Sequence, residues 1–363
     1  MNTPEQPTRE YLAAPVIKIG PLAWLKDNLF NTWYNSLLTV LTLLALFYIV
    51  PPFFQWAFVN SLWNSTADAC RDIDGACWSI VPRNIKFIML GFFPEGQEWR
   101  PILAMILLLG LVIYSKDRKR WRKSLFWLWT AGLLIMGTLM YGGVFGMPVV
   151  ETAQWSGLPL TMLLSLFGMV GAYPLGVMLA LGRRSKMPAI RTLCVVYIEM
   201  IRGVPLISLL FMSSIMFPLF LPDGMTIDKV LRAQVAIILF TAAYIAEVVR
   251  GGLQAMPRGQ YEAADSLGLN YRQTMRLIIL PQALKIVIPP SVGILLSAFK
   301  DTSLVVIIAL YDVLKTTKVT LQNPQWTGYS TEAYIFLAVL YFIFCYAMSS
   351  YSRRLERELH TGR

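Results

Sequence analysis

A succession of long apolar runs, few of them interrupted by charge, constrains this 363-residue chain more than any other feature. They lie at 36–59, 101–115, 124–144, 156–181, 192–221, 232–249, 284–310 and 332–350. About 20 apolar residues cross a hydrocarbon core of about 30 Å as a helix. The expected fold is therefore all-α: a polytopic membrane protein with about eight transmembrane helices. With 56% hydrophobic and 15% charged residues, the chain has too little polar side chain to cover a soluble core.

The formal net charge of +11 falls in clusters beside the runs, at 116–123 and 183–191 and in the Arg353, Arg354 and Arg357 tail. Such clusters set topology rather than bind nucleic acid, and they place both termini in the cytoplasm. The polar stretch 60–100, with five acidic and four basic residues, is expected outside, as are 222–228 and 312–331. Pro51 and Pro52 are expected to kink the first helix or end it early. No cleavable secretion signal is apparent, because the polar first thirty residues precede an apolar run without a small-residue cleavage site. Composition then divides the chain into a cytoplasmic tail at 1–35, a transmembrane extension with an outer loop at 36–150, a core at 151–352 and a second tail at 353–363.

One polar interruption, 251–281, is too long and too rich in helix signals for a plain connector on the inner side. Pro257 is placed to begin a helix, Glu262, Ala263 and Ala264 to propagate it, and Gly268 to supply a left-handed break. Residues 271–279 read as a second short helix before Pro281. The expected result is a helix-turn-helix lying against the membrane surface.

Catalytic constellations are largely missing from the sequence. His360 is the only histidine, which excludes a His-based triad or a histidine-rich metal site, and no phosphate-binding loop of the GxxxxGK[ST] type occurs. The chain is expected to bind no metal and to hydrolyse no ATP itself. Cys70 and Cys77 lie close enough in the outer loop to pair in an oxidising compartment, or to stay as two thiols. Charged residues in the core runs are costly unless they face protein, water or a solute. Glu199 and Arg202, like Glu247 and Arg250, stand three apart on one helical face. They read either as ion pairs pinning helices or, with Asp301, Thr302 and Ser303, as the polar lining of a path for a zwitterionic solute. Gly203 and Pro205 would help break a helix and expose backbone to that solute.

Glu262-Ala263-Ala264, three residues, Gly268, nine residues, then Ile278-Ile279-Leu280-Pro281 matches the EAA signature at every defined position. With EMIRGVPL, AYIAEVVRGG, QYEAADSLGL, LPQALKIVIPP and FKDTSLV, the chain from 157 to 358 resembles the polar amino-acid group of bacterial ABC importer permeases. The extra N-terminal runs resemble the larger permeases of general L-amino acid importers. The resemblance implies an inner-membrane permease subunit that moves polar or general L-amino acids by alternating access. It implies a homologous permease partner forming a heterodimer, a dimer of a separate ABC ATPase carrying ATP and Mg, and a periplasmic amino-acid-binding protein. In that scheme Glu262 makes a polar contact with the ATPase, Ala263 and Ala264 permit close approach, and Gly268 sets the bend. A self-contained secondary transporter is the main alternative, weakened by the lack of an obvious inverted repeat. A membrane enzyme finds little chemistry to use.

Overall fold

The computed structural model describes residues 20–360, so 1–19 and 361–363 of the two expected tails lie outside the described residues. The chain forms two compact units, one built from residues up to Trp63 with Ala69–Cys77, the other from Asn64–Asp68 with Trp78 onward.

In the smaller unit, α1 (Pro21–Leu29) precedes α2 (Trp33–Phe54), whose start is capped by Thr32 accepting from the Asn35 amide at 3.4 Å. The expected early end at Pro51 and Pro52 does not occur. The chain continues into a π turn, Gln55–Val59, in which the Asn60 amide reaches back five residues to Gln55 at 2.9 Å. Both prolines lie inside α2, and the Gln55 amide bonds to the Pro51 carbonyl, so the helix passes through them before the wider turn. Cys70 and Cys77 are joined in a disulfide, with Cα atoms 5.7 Å apart.

The larger unit begins with two elements that sequence pattern left partly hidden. Helix α3 (Ile80–Leu90) is amphipathic and lies inside the polar stretch read as loop; α4 (Trp99–Ser115) is the short apolar run. Lys86 of α3 meets Glu98, just before α4, at 2.7 Å. Its hydrogen bond holds the Glu98 carboxyl below the usual range, and Glu98 in turn raises the Lys86 ammonium. Helix α5 (Lys123–Tyr141) returns antiparallel to α4. The guanidinium of Arg100, fully buried, donates to the carbonyls of Leu139 at 2.6 Å, Pro148 at 3.0 Å and Met140 at 3.5 Å. An Arg supplies five donors and no acceptor, so it suits a helix C-terminus with orphan carbonyls.

The core follows. Helices α6 (Gly157–Arg183), α7 (Pro188–Gly203), α8 (Leu206–Phe211) and α9 (Lys229–Gln254) come next in order. Together α7 and the segment Leu206–Phe220 make one apolar span bent by 104° at Val204 and Pro205, where the sequence had placed a break. Helices α6 and α9 form the tightest pair in the fold, Gly168 lying under Ile237 and Gly176 under Ile245. Small residues let helix backbones approach without a hydrophobic drive from water. Asp228 caps α9, accepting from the Leu231 amide at 3.1 Å. After α10 (Arg258–Ser266) and the single turn α11 (Tyr271–Gln273), a π turn Thr274–Ile279 leads directly into α12 (Leu280–Asp301). The hairpin's second helix therefore does not end before Pro281. It is the first part of the next apolar span, which reads as one 38-residue helix Tyr271–Ile308.

The stretch 312–331, expected as a polar loop, holds α13 (Val313–Leu321), with Asp312, Thr316 and Thr317 fully buried. Helix α14 (Ser330–His360) runs straight on through the arginines taken as a tail. Among the described residues, six helices are long and apolar enough to cross a membrane; the bent pair makes seven, and α4 is a shorter apolar helix. Neither is the change of composition near residue 150 a boundary between packed units. Ala104, Leu108, Met136 and Met140 from α4 and α5 share one core cluster with Leu158 and Met162 of α6 and Leu337 of α14.

Candidate functional site

Helices α9 and α12 pack antiparallel, Gly252 against Ala283 and Val287 at one end, Ile237 clustered at the other with Val305 of the 3-10 helix Thr302–Ile308 that continues α12. Between them opens a cleft of about 420 Å³, lined on α9 by Ile237, Phe240, Thr241 and Tyr244, and on α12 by Pro290, Ser297 and Asp301 among others. Leu206, the first residue after the bend, completes it. Asp301 and Ile237 stand at one end and Tyr244 at the other, about two helical turns or roughly 10 Å away at 1.5 Å per residue. A larger cleft of about 590 Å³ beside Met212, Met216, Phe217 and Phe220 is almost wholly apolar, apart from Arg232 and Ser213, and suits a hydrocarbon chain better than a polar solute.

Of the residues singled out for a solute path, Asp301 lines the smaller cleft while Thr302 and Ser303 do not. The Thr302 hydroxyl is buried and donates to the Phe299 carbonyl at 2.8 Å, the ordinary way for a helical threonine to satisfy itself. Glu199, Arg202 and Glu247 are gathered one turn beyond Tyr244. Glu247 is the hub: Arg183 of α6 lies 3.4 Å from its carboxylate, Arg202 of α7 lies 3.5 Å from it, and Arg250 makes the closest pair. Arg183 also meets Glu199 at 3.0 Å. Three guanidinium groups against two carboxylates thus tie α6, α7 and α9 at this end. The group is half exposed rather than sealed, Glu247 keeping 25% of its side-chain surface and Arg202 34%. Thr241, Tyr244 and Ser297 were not among the expected site residues. The spacing of Thr241, Tyr244 and Glu247 along one face of the sixth run was the signal that could have found them.

The polar interruption forms an exposed hairpin. Glu262 and Ala263 are open on the surface of α10, whereas Ala264 is fully buried beneath it. Gly268 has φ +69°, and the Gly268 and Leu269 amides return to Asp265 and Ala264, closing the helix in a left-handed cap as expected. Asn270 and Gln273 then cap each other's amides at 3.0 Å and start the next helix. Tyr261 and Gln260 anchor α10: the Tyr261 hydroxyl donates to the Leu253 carbonyl at 3.4 Å, and Gln282 donates to Gln260 at 3.0 Å. Pro281 is exposed at the base. The walls of the cleft, α9 and α12, are therefore the two helices this hairpin joins.

Long apolar helices around a cleft that carries charge at both ends define a membrane transport protein. The pattern describing the "Binding-protein-dependent transport system inner membrane component" family matches residues 172–361. The inner membrane amino-acid ABC transporter permease protein YhdY of Escherichia coli is 48% identical over 347 residues, 94% of each chain. The glutamate/glutamine/aspartate/asparagine transport system permease protein BztC of Rhodobacter capsulatus is 37% identical, over 95% of each. The chain belongs to this family and is an ABC transporter permease subunit of the inner membrane. A probable glutamine ABC transporter permease protein of Bacillus subtilis, GlnP, is 32% identical over 56% of this chain and 91% of its own. A crystal structure of an amino acid ABC transporter superposes with a TM-score of 0.50 at 30% identity, over 56% of this chain and 92% of the other. Helices α1 to α5 precede the family pattern, yet the two full-length relatives carry a segment of matching size.

Proposed function

We propose that this permease moves polar L-amino acids from periplasm to cytoplasm by alternating access, through the cleft between α9 and α12. One observation carries the reading: the exposed hairpin is covalently continuous with both cleft walls, so a displacement applied to α10 is delivered to the solute's path. The partners are a homologous permease in a heterodimer, a dimer of ABC ATPase subunits that binds ATP and Mg, and a periplasmic amino-acid-binding protein. The bilayer surrounds the spans, and both termini lie in the cytoplasm beside the basic clusters. Glu262 makes the polar contact on the ATPase, Ala263 lets the surfaces close, and Gly268 fixes the angle at which α10 leaves the membrane spans. Asp301 attracts the solute's ammonium group from the far end of the cleft. The names of the relatives support amino acids as solutes, with glutamate, glutamine, aspartate and asparagine as the first set to try.

The test is uptake of these four by the reconstituted complex carrying Gly268→Val or Glu262→Lys. A β-branched residue at positive φ distorts the hairpin, and a charge reversal opposes docking. Both variants are expected to lose at least nine-tenths of uptake while the binding protein still delivers its solute. Wild-type uptake in both sinks the coupling role.

A further inference from the structure

The three guanidinium groups around Glu247 are not equally engaged. Arg250 pairs with Glu247 at close range and also donates to Gln254 at 2.7 Å; Arg183 spans Glu199 at 3.0 Å and Glu247 at 3.4 Å. Among the described residues, Arg202 has only the longest of these contacts, 3.5 Å to Glu247, and its Nε is buried without a hydrogen-bond partner. Its guanidinium lies over the Tyr244 ring, 5.7 Å from the centroid, and Tyr244 lines the cleft. A buried donor without an acceptor is a standing cost, and a planar fork on an aromatic face accepts a carboxylate in bidentate fashion. Four residues after Arg202, past the bend at Val204 and Pro205, the chain re-enters the cleft wall at Leu206.

We infer that Arg202 is the receiver of the solute's carboxylate at the Tyr244 end of the cleft, and that taking it up releases Arg202 from Glu247. The inference rests on the amino-acid reading above and adds to it a specificity-determining residue and a latch. Asp301 and Arg202 stand at opposite ends of the cleft, too far apart to hold the α-ammonium and α-carboxylate of one amino acid together. They act in sequence: the ammonium at Asp301 first, then the carboxylate at Arg202. Glu247 and the solute compete for the same guanidinium. When the solute wins, α7 loses its direct ionic tie to α9, while Arg183 and Arg250 still neutralise Glu247. The ionic tie between α7 and α9 thus opens when occupied and stays shut when empty.

Competition makes a prediction that a purely structural ion pair does not. The complex of this chain with its permease partner and ATPase is assembled in nanodiscs without the binding protein. Direct binding of labelled L-glutamine, L-glutamate, L-asparagine and L-aspartate is measured, with L-glutaminamide as the carboxyl-free probe. Arg202→Gln is expected to weaken amino-acid binding at least ten-fold and to erase the preference over the amide. Glu247→Gln, by removing the competitor, is expected to tighten amino-acid binding several-fold and to raise solute-independent ATP hydrolysis. Arg202→Lys keeps the charge without the fork and falls between, which preserves the test if Arg202→Gln does not assemble. Two results overturn the inference while leaving the function standing: wild-type affinity in Arg202→Gln, or affinity lost alike in Arg202→Gln and Glu247→Gln. Should the wild-type complex bind none of the four amino acids, the amino-acid reading fails and this inference falls with it.

Discussion

The two ends of the core are built on opposite principles. At the hairpin end, helices α6, α7 and α9 are tied by charged groups that keep a quarter or more of their surface in contact with solvent. At the other end, α3, α6 and α13 are locked by buried hydrogen bonds between neutral groups. The Ser156 hydroxyl accepts from the Phe92 amide at 2.7 Å and reaches the Leu90 carbonyl at 3.0 Å, and Thr316 donates to the Ile88 carbonyl at 2.7 Å. Thr161 takes the Val313 amide at 3.2 Å. Solvated ion pairs are weak and exchangeable, whereas buried hydrogen bonds are costly to leave unmade. One end is made to change partners and the other to keep them.

The sharpest way to break that contrast is at Gly157, which has φ +67° and whose missing Cβ leaves room for the Met89 carbonyl. Gly157→Val forces both a left-handed backbone and a backbone clash, costs on the order of 3 kcal/mol or more, and is expected to leave almost no folded protein by size-exclusion in detergent. Arg100→Met comes next. It orphans the Leu139 and Pro148 carbonyls and is expected to cost about 2–3 kcal/mol, read as a lower melting temperature with uptake per folded complex preserved. Glu247→Gln, at the solvated end, is expected to lower stability by no more than about 1 kcal/mol after screening. Equal destabilisation by Arg100→Met and Glu247→Gln erases the distinction.

The smallest effect belongs to the pair of Lys86, exposed to solvent, and Glu98, partly buried, near the fixed end. The Glu98 carboxyl is held below its ordinary value, so its contribution is present above about pH 4.3 and fades as pH falls through the folded value. The Lys86 ammonium is raised, so its share is present below about pH 10.4 and is lost only as pH rises through the folded value. Lys86→Met should therefore lower the melting temperature by a degree or so at pH 7, with the difference shrinking as pH falls through the folded value of Glu98.

Much of this was legible in the order of residues. The spans from 124 onward, the bend at Gly203 and Pro205, and the left-handed break at Gly268 follow from hydropathy, proline and glycine alone. The spacing paired Glu199 with Arg202 and Glu247 with Arg250 along their own helices. The second pair forms, whereas Glu199 meets Arg183 of α6 and Arg202 meets Glu247 of α9, contacts between helices that spacing does not show. The helices at 80–90 and 313–321 were hidden because their polar residues find partners: Lys86 meets Glu98, Asp312 caps α13 and accepts the Lys315 amide at 2.9 Å, Thr317 bonds back to the Val313 carbonyl at 2.8 Å, and Thr316 reaches the Ile88 carbonyl at 2.7 Å. A polar stretch reads as loop until its partners are known. Thr302 was misplaced because its buried hydroxyl is spent on the Phe299 carbonyl. The prolines at 51 and 52 were expected to kink or end their helix and Pro281 to follow the end of one, yet all three lie within helical stretches that continue through neighbouring wide turns.

The wide turn at Thr274–Ile279 has a mechanical consequence. It inserts one residue of slack between the hairpin and the span that carries Asp301. Deleting a single residue from 274–279 would take up that slack as ordinary helix and leave α10 near its present phase. Tightening the turn with all its residues kept would instead swivel α10 by about 100° about the axis of α12 and displace it about 1.5 Å along that axis. The phase of α10, and with it the compass bearing from which any push arrives, is therefore written in one surplus residue of pitch.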